Sequence, residues 1–274
     1  MNTVRVMSKN AAYQKFEVLR TNRNKRYRYG EFLVEGVRNI NQAIRNGWQF
    51  TSLLYRPETP LSRWAQEVLD TVSCDTHYQL SSNLMQELSG KTDTSELLAI
   101  LRMRPDDPAL LHDSPCPLYI LFDRPSNHGN LGSIIRSADA LGADGLILTG
   151  HGVDLYQPEV ITASMGSFFN LPAIRMADND TVFDWIARQR DLHPGFQVIG
   201  TTAHKQLNIT QVDFRLPTLL MIGNETEGLC RAFKEGCDLL ATIPMADTSS
   251  ASSFNVACAA TVMMYEVCRQ RAQE

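Results

Sequence analysis

Residues 118–148 read LYILFDRPSNHGNLGSIIRSADALGADGLIL. The opening run, Leu118–Phe122, is uniformly apolar, the pattern of a strand buried on both faces. The polar stretch DRPSNHGN follows, and Leu131, Ile134, Ile135 and Ala138 then recur at helical spacing up to Leu141. Gly145–Leu148 is apolar again. Strand, loop, helix and strand in this order mark this half of the chain as an α/β unit. Further strands are expected at Leu171–Ile174, Gln197–Gly200, Thr218–Ile222 and Leu239–Ile243, and helices at Val182–Arg190, Leu229–Glu235 and Val256–Arg271. In the last helix Val256, Ala259, Ala260, Met263, Met264 and Val267 form one apolar stripe, read as facing the core or a dimer partner.

The preceding half also alternates. Helices are expected over 8–24, through Ile40, Ala43 and Ile44, over Leu61–Leu69, and through Leu84, Met85 and Leu88 after a cap at Ser81 or Ser82. Strands are expected at Phe32–Val34, Ser52–Tyr55, His77–Leu80 and Leu97–Leu101. Between the halves, Arg104–Pro117 holds four prolines and three aspartates, which reads as a linker. The expected division is 1–106 for a smaller α/β domain, 107–116 for the linker and 117–274 for the larger domain.

The 274 residues carry a net charge of −4, but unevenly. Residues 1–112 hold 15 basic and 12 acidic side chains, residues 113–274 hold 11 and 18. The first 28 residues alone hold eight Lys or Arg against one Glu. Arg20, Arg23, Lys25, Arg26 and Arg28, with Tyr27 and Tyr29 interleaved, read either as a solvated helix face or as an RNA-facing patch. No apolar run approaches the length of a membrane span, and the N-terminus lacks a signal-peptide core, so the expected place is the cytoplasm. Six cysteines without CxxC pairing and six scattered histidines give no disulfide framework or zinc site.

Three loops carry polar residues that a packed core does not need. The first is Asn127–Gly132, entering the helix that bears Arg136 opposite its apolar stripe. The second is Gly223–Gly228, after a strand, where open α/β sheets bind ligands. The third runs from Ile243 to Ser253, Phe254 and Asn255, with Ser253 expected as the N-cap of the last helix. GxGxxG, GxxxxGK[ST] and GxSxG are all absent, which disfavours a dinucleotide fold, a P-loop and a hydrolase elbow.

Taken together, NHGNLGSIIRSADALGADGLIL, LLMIGNETEGL and IPMADTSSASSFNVACAATVMMYE resemble the three ordered motifs of the SpoU (TrmH-type) branch of the SPOUT RNA methyltransferases. The stretch YGEFLVEGVRNINQAI resembles the small substrate-binding domain fused to many of them, of the type found in kink-turn-binding ribosomal proteins. The resemblance implies an α/β C-terminal domain with a deep trefoil knot, preceded by a smaller α/β/α RNA-binding domain, in a homodimer. It implies S-adenosylmethionine-dependent methylation of an RNA ribose 2′-hydroxyl, without metal. The fusion favours large-subunit ribosomal RNA. A tRNA methyltransferase and a catalytically silent RNA-binding factor are the alternatives. Carried over by position, Asn130, Arg136, Glu225, Ser253 and Asn255 are the implied catalytic set. Gly223, Ile243 and Phe254 are implied cofactor contacts, largely through backbone, with Thr201 and Met245 beside them. Two features depart from the family pattern: Phe254 replaces the usual Leu, and the Met245–Ser253 loop is longer than the commonest form.

Overall fold

The computed structural model describes residues 2–89, 93–204 and 206–272. Along the chain run β1 (Asn2–Val6), α1 (Ala11–Thr21), α2 (Arg23–Tyr29), β2 (Glu31–Glu35), α3 (Val37–Arg45), β3 (Phe50–Tyr55), α4 (Arg63–Thr71), β4 (Thr76–Leu80), α5 (Ser82–Ser89) and β5 (Leu97–Arg102). Next come β6 (Leu118–Asp123), α6 (His128–Ala140), β7 (Gly145–Thr149), α7 (Pro158–Ala163), β8 (Ala173–Met176), α8 (Asn179–Leu192) and β9 (Gln197–Thr201). Last are β10 (Leu207–Asn208), β11 (Thr218–Ile222), α9 (Arg231–Gly236), β12 (Leu239–Thr242) and α10 (Val256–Arg271). The chain forms two units, Met1–Arg104 with Asp154–Asn170, and Pro105–Val153 with Leu171–Glu274.

The first unit is built on a mixed sheet in the order β1-β4-β3-β5-β2. Its strands were legible except β1, which pairs in parallel with β4. The helix expected over 8–24 is two helices, because Asn22 ends α1 in extended backbone and its side chain caps α2 at Lys25 N. The stretch 154–170, expected in the larger domain, packs in this unit instead. The cause is aromatic burial. Tyr156, Phe168 and Phe169 are buried in one cluster with Phe32 and Trp48, and Trp48 Nε1 donates to Phe169 O at 2.9 Å. The Tyr156 hydroxyl donates to Arg104 O at 3.2 Å, and the Arg104 guanidinium lies 4.1 Å from the Trp48 ring centroid.

Arg26 is a correction to the RNA-facing patch. Its side chain is 0% exposed. Its Nε donates to Asp154 at 2.7 Å and its Nη1 to the carbonyls of Leu19 and Arg20, both at 3.0 Å. Its Nη2 meets Asp154 and Gln157. All five donors of the guanidinium are used inside the fold, so Arg26 offers nothing to a phosphate. Of the other four, Arg28 is exposed, while Arg20, Arg23 and Lys25 are half-buried. Arg20 donates to Glu87 O at 3.0 Å, and Arg23 stacks over Tyr27.

The second unit is built on a seven-stranded sheet among the described residues, in the order β10-β12-β9-β11-β6-β7-β8, with every pair parallel. One face buries Tyr119, Leu121, Leu219 and Met221 against Trp185 and Ile186 of α8 and Phe233 of α9. α6 packs with α10, where Ser137 and Thr261 hydroxyls meet at 2.7 Å. Because the strands are parallel, the loops after β6, β9, β11 and β12 all leave at their carboxyl ends. Ile222 pairs with Phe122, so the loops that begin at Asp123 and Gly223 start side by side. The sheet therefore presents a switch point, where the chain leaves β6 towards β7 on one side and returns as β11 on the other.

Candidate active site

The loop after β11 folds back on itself: Asn224 and Gly228 exchange backbone hydrogen bonds at 3.1 and 3.0 Å. Gly223 makes this possible. A Cβ there would lie 2.3 Å from Gly228 C and Leu229 N, both backbone atoms that cannot swing aside. Gly223→Ala is accordingly expected to lower stability by about 1–3 kcal/mol, the usual cost of overpacking. A denaturant midpoint equal to wild type would show that the turn relaxes freely.

The turn is clamped to the loop after β6. The Asn224 amide donates to Arg124 O at 2.7 Å. Arg124, held at φ 50°, forks onto Asp123 and reaches Gly228 O at 3.1 Å, and it pairs with Glu227. Asp123 is buried and accepts from Thr149 Oγ1 at 3.0 Å and Cys230 N at 2.8 Å. Sequence reasoning gave Asp123, Arg124 and Asn224 no role. The available signal was a carboxylate at the end of a strand buried on both faces, which must be paired or hydrogen-bonded to remain there.

Three of the five expected catalytic residues form one hydrogen-bonded chain. Asn255 Nδ2 donates to Asn130 Oδ1 at 3.1 Å, and Asn130 Nδ2 donates to Glu225 Oε1 at 3.3 Å. Glu225 also accepts from Ser126 N and Oγ at 2.9 and 2.7 Å, and from Asn127 N at 3.0 Å. Burial raises the Glu225 carboxyl, but these donors outweigh it and hold the group below its ordinary value. Its contribution to loop stability is therefore present above the ordinary carboxylate range and is lost as the pH falls through the depressed value. Glu225 thus holds the first loop rather than Arg136.

Asn255, not Ser253, is the N-cap of α10: its Oδ1 accepts from Ala257 N at 2.9 Å and Cys258 N at 3.3 Å. Ser253 lies two residues earlier, exposed on the rim of a cavity. Arg136 stands apart. It is exposed on α6, opposite the fully buried Leu131, Ile134, Ile135 and Ala138, and has no hydrogen-bond or ion-pair partner among the described residues.

The cavity, of about 340 Å³, lies among the loops after β9, β11 and β12 and the start of α10. Thr201, Gly223, Ile243, Met245 and Phe254, the five expected cofactor positions, all line it. Its floor is apolar, with Ile222, Leu229, Ala260 and Met263. Thr202, Thr242 and Ser252 add hydroxyls, and Gly228, at φ 70°, adds bare backbone. An apolar base with a few polar groups at its edge suits a nucleoside with a charged tail.

The descriptions of two family models match this chain: the SpoU rRNA Methylase family over residues 117–265 and the SpoU L30e-like domain over residues 10–99. The 23S rRNA (uridine(2479)-2′-O)-methyltransferase of Streptomyces viridochromogenes is 45% identical, over 97% of this chain and 92% of the relative. The crystal structure of the SpoU methyltransferase AviRb from that organism, in complex with AdoMet, superposes with a TM-score of 0.91 at 45% identity, covering 96% of this chain and 98% of that one. An AdoMet-bound rRNA methyltransferase from Sinorhizobium meliloti superposes with a TM-score of 0.84 at 28% identity, covering 97% and 98%. The three sequence motifs, the loops they form and these matches agree: the chain belongs to the SpoU rRNA methylase family.

Proposed function

We propose that the chain transfers a methyl group from S-adenosylmethionine to a ribose 2′-hydroxyl of 23S ribosomal RNA. The observation that carries this reading is the Asn255–Asn130–Glu225 chain, drawn from the N-cap of α10, the first turn of α6 and the loop after β11, beside a nucleoside-sized cavity. The printed names of the relatives, which act on 23S rRNA, support the substrate class.

The cavity residues fit the methyl donor, with Thr201, Gly223, Ile243, Met245 and Phe254 as its proposed contacts. When bound, its sulfonium supplies an electrophilic methyl group. The protein must align the ribose oxygen for in-line attack and stabilise the charge that grows on it. Asn130 is fixed at both ends of its amide, yet keeps one N–H and one lone pair for the ribose hydroxyl. The role proposed for Arg136 is to grip the adjacent phosphate and the developing alkoxide through the planar donor fork of its guanidinium. Glu225 and Asn255 are positioning residues. Ser253, on the cavity rim, is proposed to position the ribose.

Arg20, Arg23, Lys25 and Arg28 of the first unit are proposed as its RNA-facing cations. The reading also includes a deep trefoil knot near the C-terminus, and a cytoplasmic homodimer. No helix among the described residues is long and apolar enough to cross a membrane. For the dimer, Cys258, Val262 and Tyr265 lie exposed along one face of α10 at helical spacing, with Phe254 exposed just before it.

Purified chain incubated with 23S rRNA and labelled S-adenosylmethionine should add methyl at one ribose, located by mapping 2′-O-methyl positions in RNA from cells with and without the gene. Label appearing on tRNA alone, or on no RNA, would overturn the reading.

A further inference from the structure

The cavity is lined by two carboxylates and one ammonium among the described residues. Both carboxylates are already engaged: Glu227 with Arg124, and Glu225 with Ser126, Asn127 and Asn130. Lys234 also lines it and has no hydrogen-bond or ion-pair partner among the described residues. Its backbone is firmly held. Phe233, next to it on α9, is fully buried, Lys234 N donates to Cys230 O at 3.0 Å, and Cys230 N is tied to Asp123. At Gly236, farther along the same helix, a Cβ would lie 2.5 Å from the Phe183 ring, so α9 sits close against α8. A rigid short helix thus presents a flexible ammonium to a cavity whose other charges are spoken for.

We infer that Lys234 binds the carboxylate of the methyl donor's methionyl tail and so selects the complete cofactor over nucleosides that lack the amino-acid group. The inference rests on the reading of the cavity as the methyl-donor site. A sulfonium cofactor carries one positive centre at the reacting sulfur, and its short methionyl chain ends in an ammonium and its only carboxylate. Among the described lining side chains, Lys234 is the one lysine or arginine; the other polar groups are hydroxyls, Asn224, His204 and two carboxylates. Lys suits the task because three rotatable donors on a long stem tolerate a flexible partner.

The test measures ligand binding by calorimetry on the full chain, with no RNA present. The probes are S-adenosylhomocysteine, which has the carboxylate, and 5′-methylthioadenosine, which does not. Lys234 is exposed, so Lys234→Ala should weaken S-adenosylhomocysteine about fivefold at most, the upper size of an exposed ion pair of ~1 kcal/mol, and leave methylthioadenosine unchanged. Lys234→Arg should restore most of the loss, and the effect should shrink as salt is raised. Equal losses for both ligands, or a loss for neither, would overturn the assignment. So would a separate RNA titration in which Lys234→Ala weakens RNA binding while neither ligand changes, which would give the cation to the RNA backbone. If wild-type chain binds neither ligand, the methyl-donor reading itself falls, and this inference falls with it.

Discussion

Arg136→Ala should fold, bind S-adenosylmethionine with near wild-type affinity, and lose methyl transfer by roughly 10²–10³-fold, the cost of removing one donor aimed at developing oxyanion charge. The three parts of this expectation have separate grounds. Folding is spared because the side chain is exposed and the helix keeps its buried stripe of Leu131, Ile134, Ile135 and Ala138. Cofactor affinity is spared because Arg136 does not line the cavity. Transfer is lost because the guanidinium has no partner among the described residues, so its charge is available to the RNA phosphate and the ribose oxygen. Arg136→Lys should recover little, since an ammonium lacks the planar fork that grips phosphate bidentately. Single-turnover transfer of labelled methyl, beside a thermal melt, separates the cases. Near-normal transfer by Arg136→Ala would move the site elsewhere. A lowered melt would make Arg136 structural.

The chemistry of this unit was more legible than its organisation, and the difference has a physical cause. Thr201 ends β9, Gly223 and Glu225 follow β11, Ile243 and Met245 follow β12, and Asn130 opens α6 just after the loop from β6; the uninterrupted apolar runs of these strands can be read without any partner. Once β6, β11 and β12 are parallel, their carboxyl-end loops must share one edge of the sheet. What a linear reading could not supply was pairing across distance. Arg26 looked like one more cation in a basic run, because nothing near it in sequence reveals Asp154, 128 residues away. The stretch 154–170 has no helical or strand period long enough to announce a destination. Only the aromatic cluster with Phe32 and Trp48 gives it one. Ser253 lost the capping role to Asn255 because both residue types cap equally well, and the choice depends on where the helical backbone begins.

The buried pair Arg26–Asp154 should be the most sensitive point of the first unit. Asp154→Ala leaves a guanidinium fully enclosed with its counter-charge gone, and loss of one partner of a buried pair costs about 3–5 kcal/mol. The loss reaches beyond the pair. Asp154 also accepts from the Tyr27 hydroxyl at 3.1 Å and from Tyr156 N at 3.2 Å, so the same carboxylate joins α2 to the returning stretch 154–170. Arg26→Met removes the other charge but leaves the carboxylate those two donors, so it should cost less than Asp154→Ala. The double variant should cost clearly less than the sum of the singles, because the second substitution removes a group the first has already orphaned. Denaturant melts of the four proteins measure this coupling. RNA binding gives an independent check: a phosphate-bound Arg26 would reduce the log–log salt slope by about 0.7–0.9 when replaced by Met, whereas an internal Arg26 would not. Additive melts together with a flattened slope would return Arg26 to the RNA surface; strong coupling with an unchanged slope is expected, because every donor of that guanidinium already has an acceptor within its own unit.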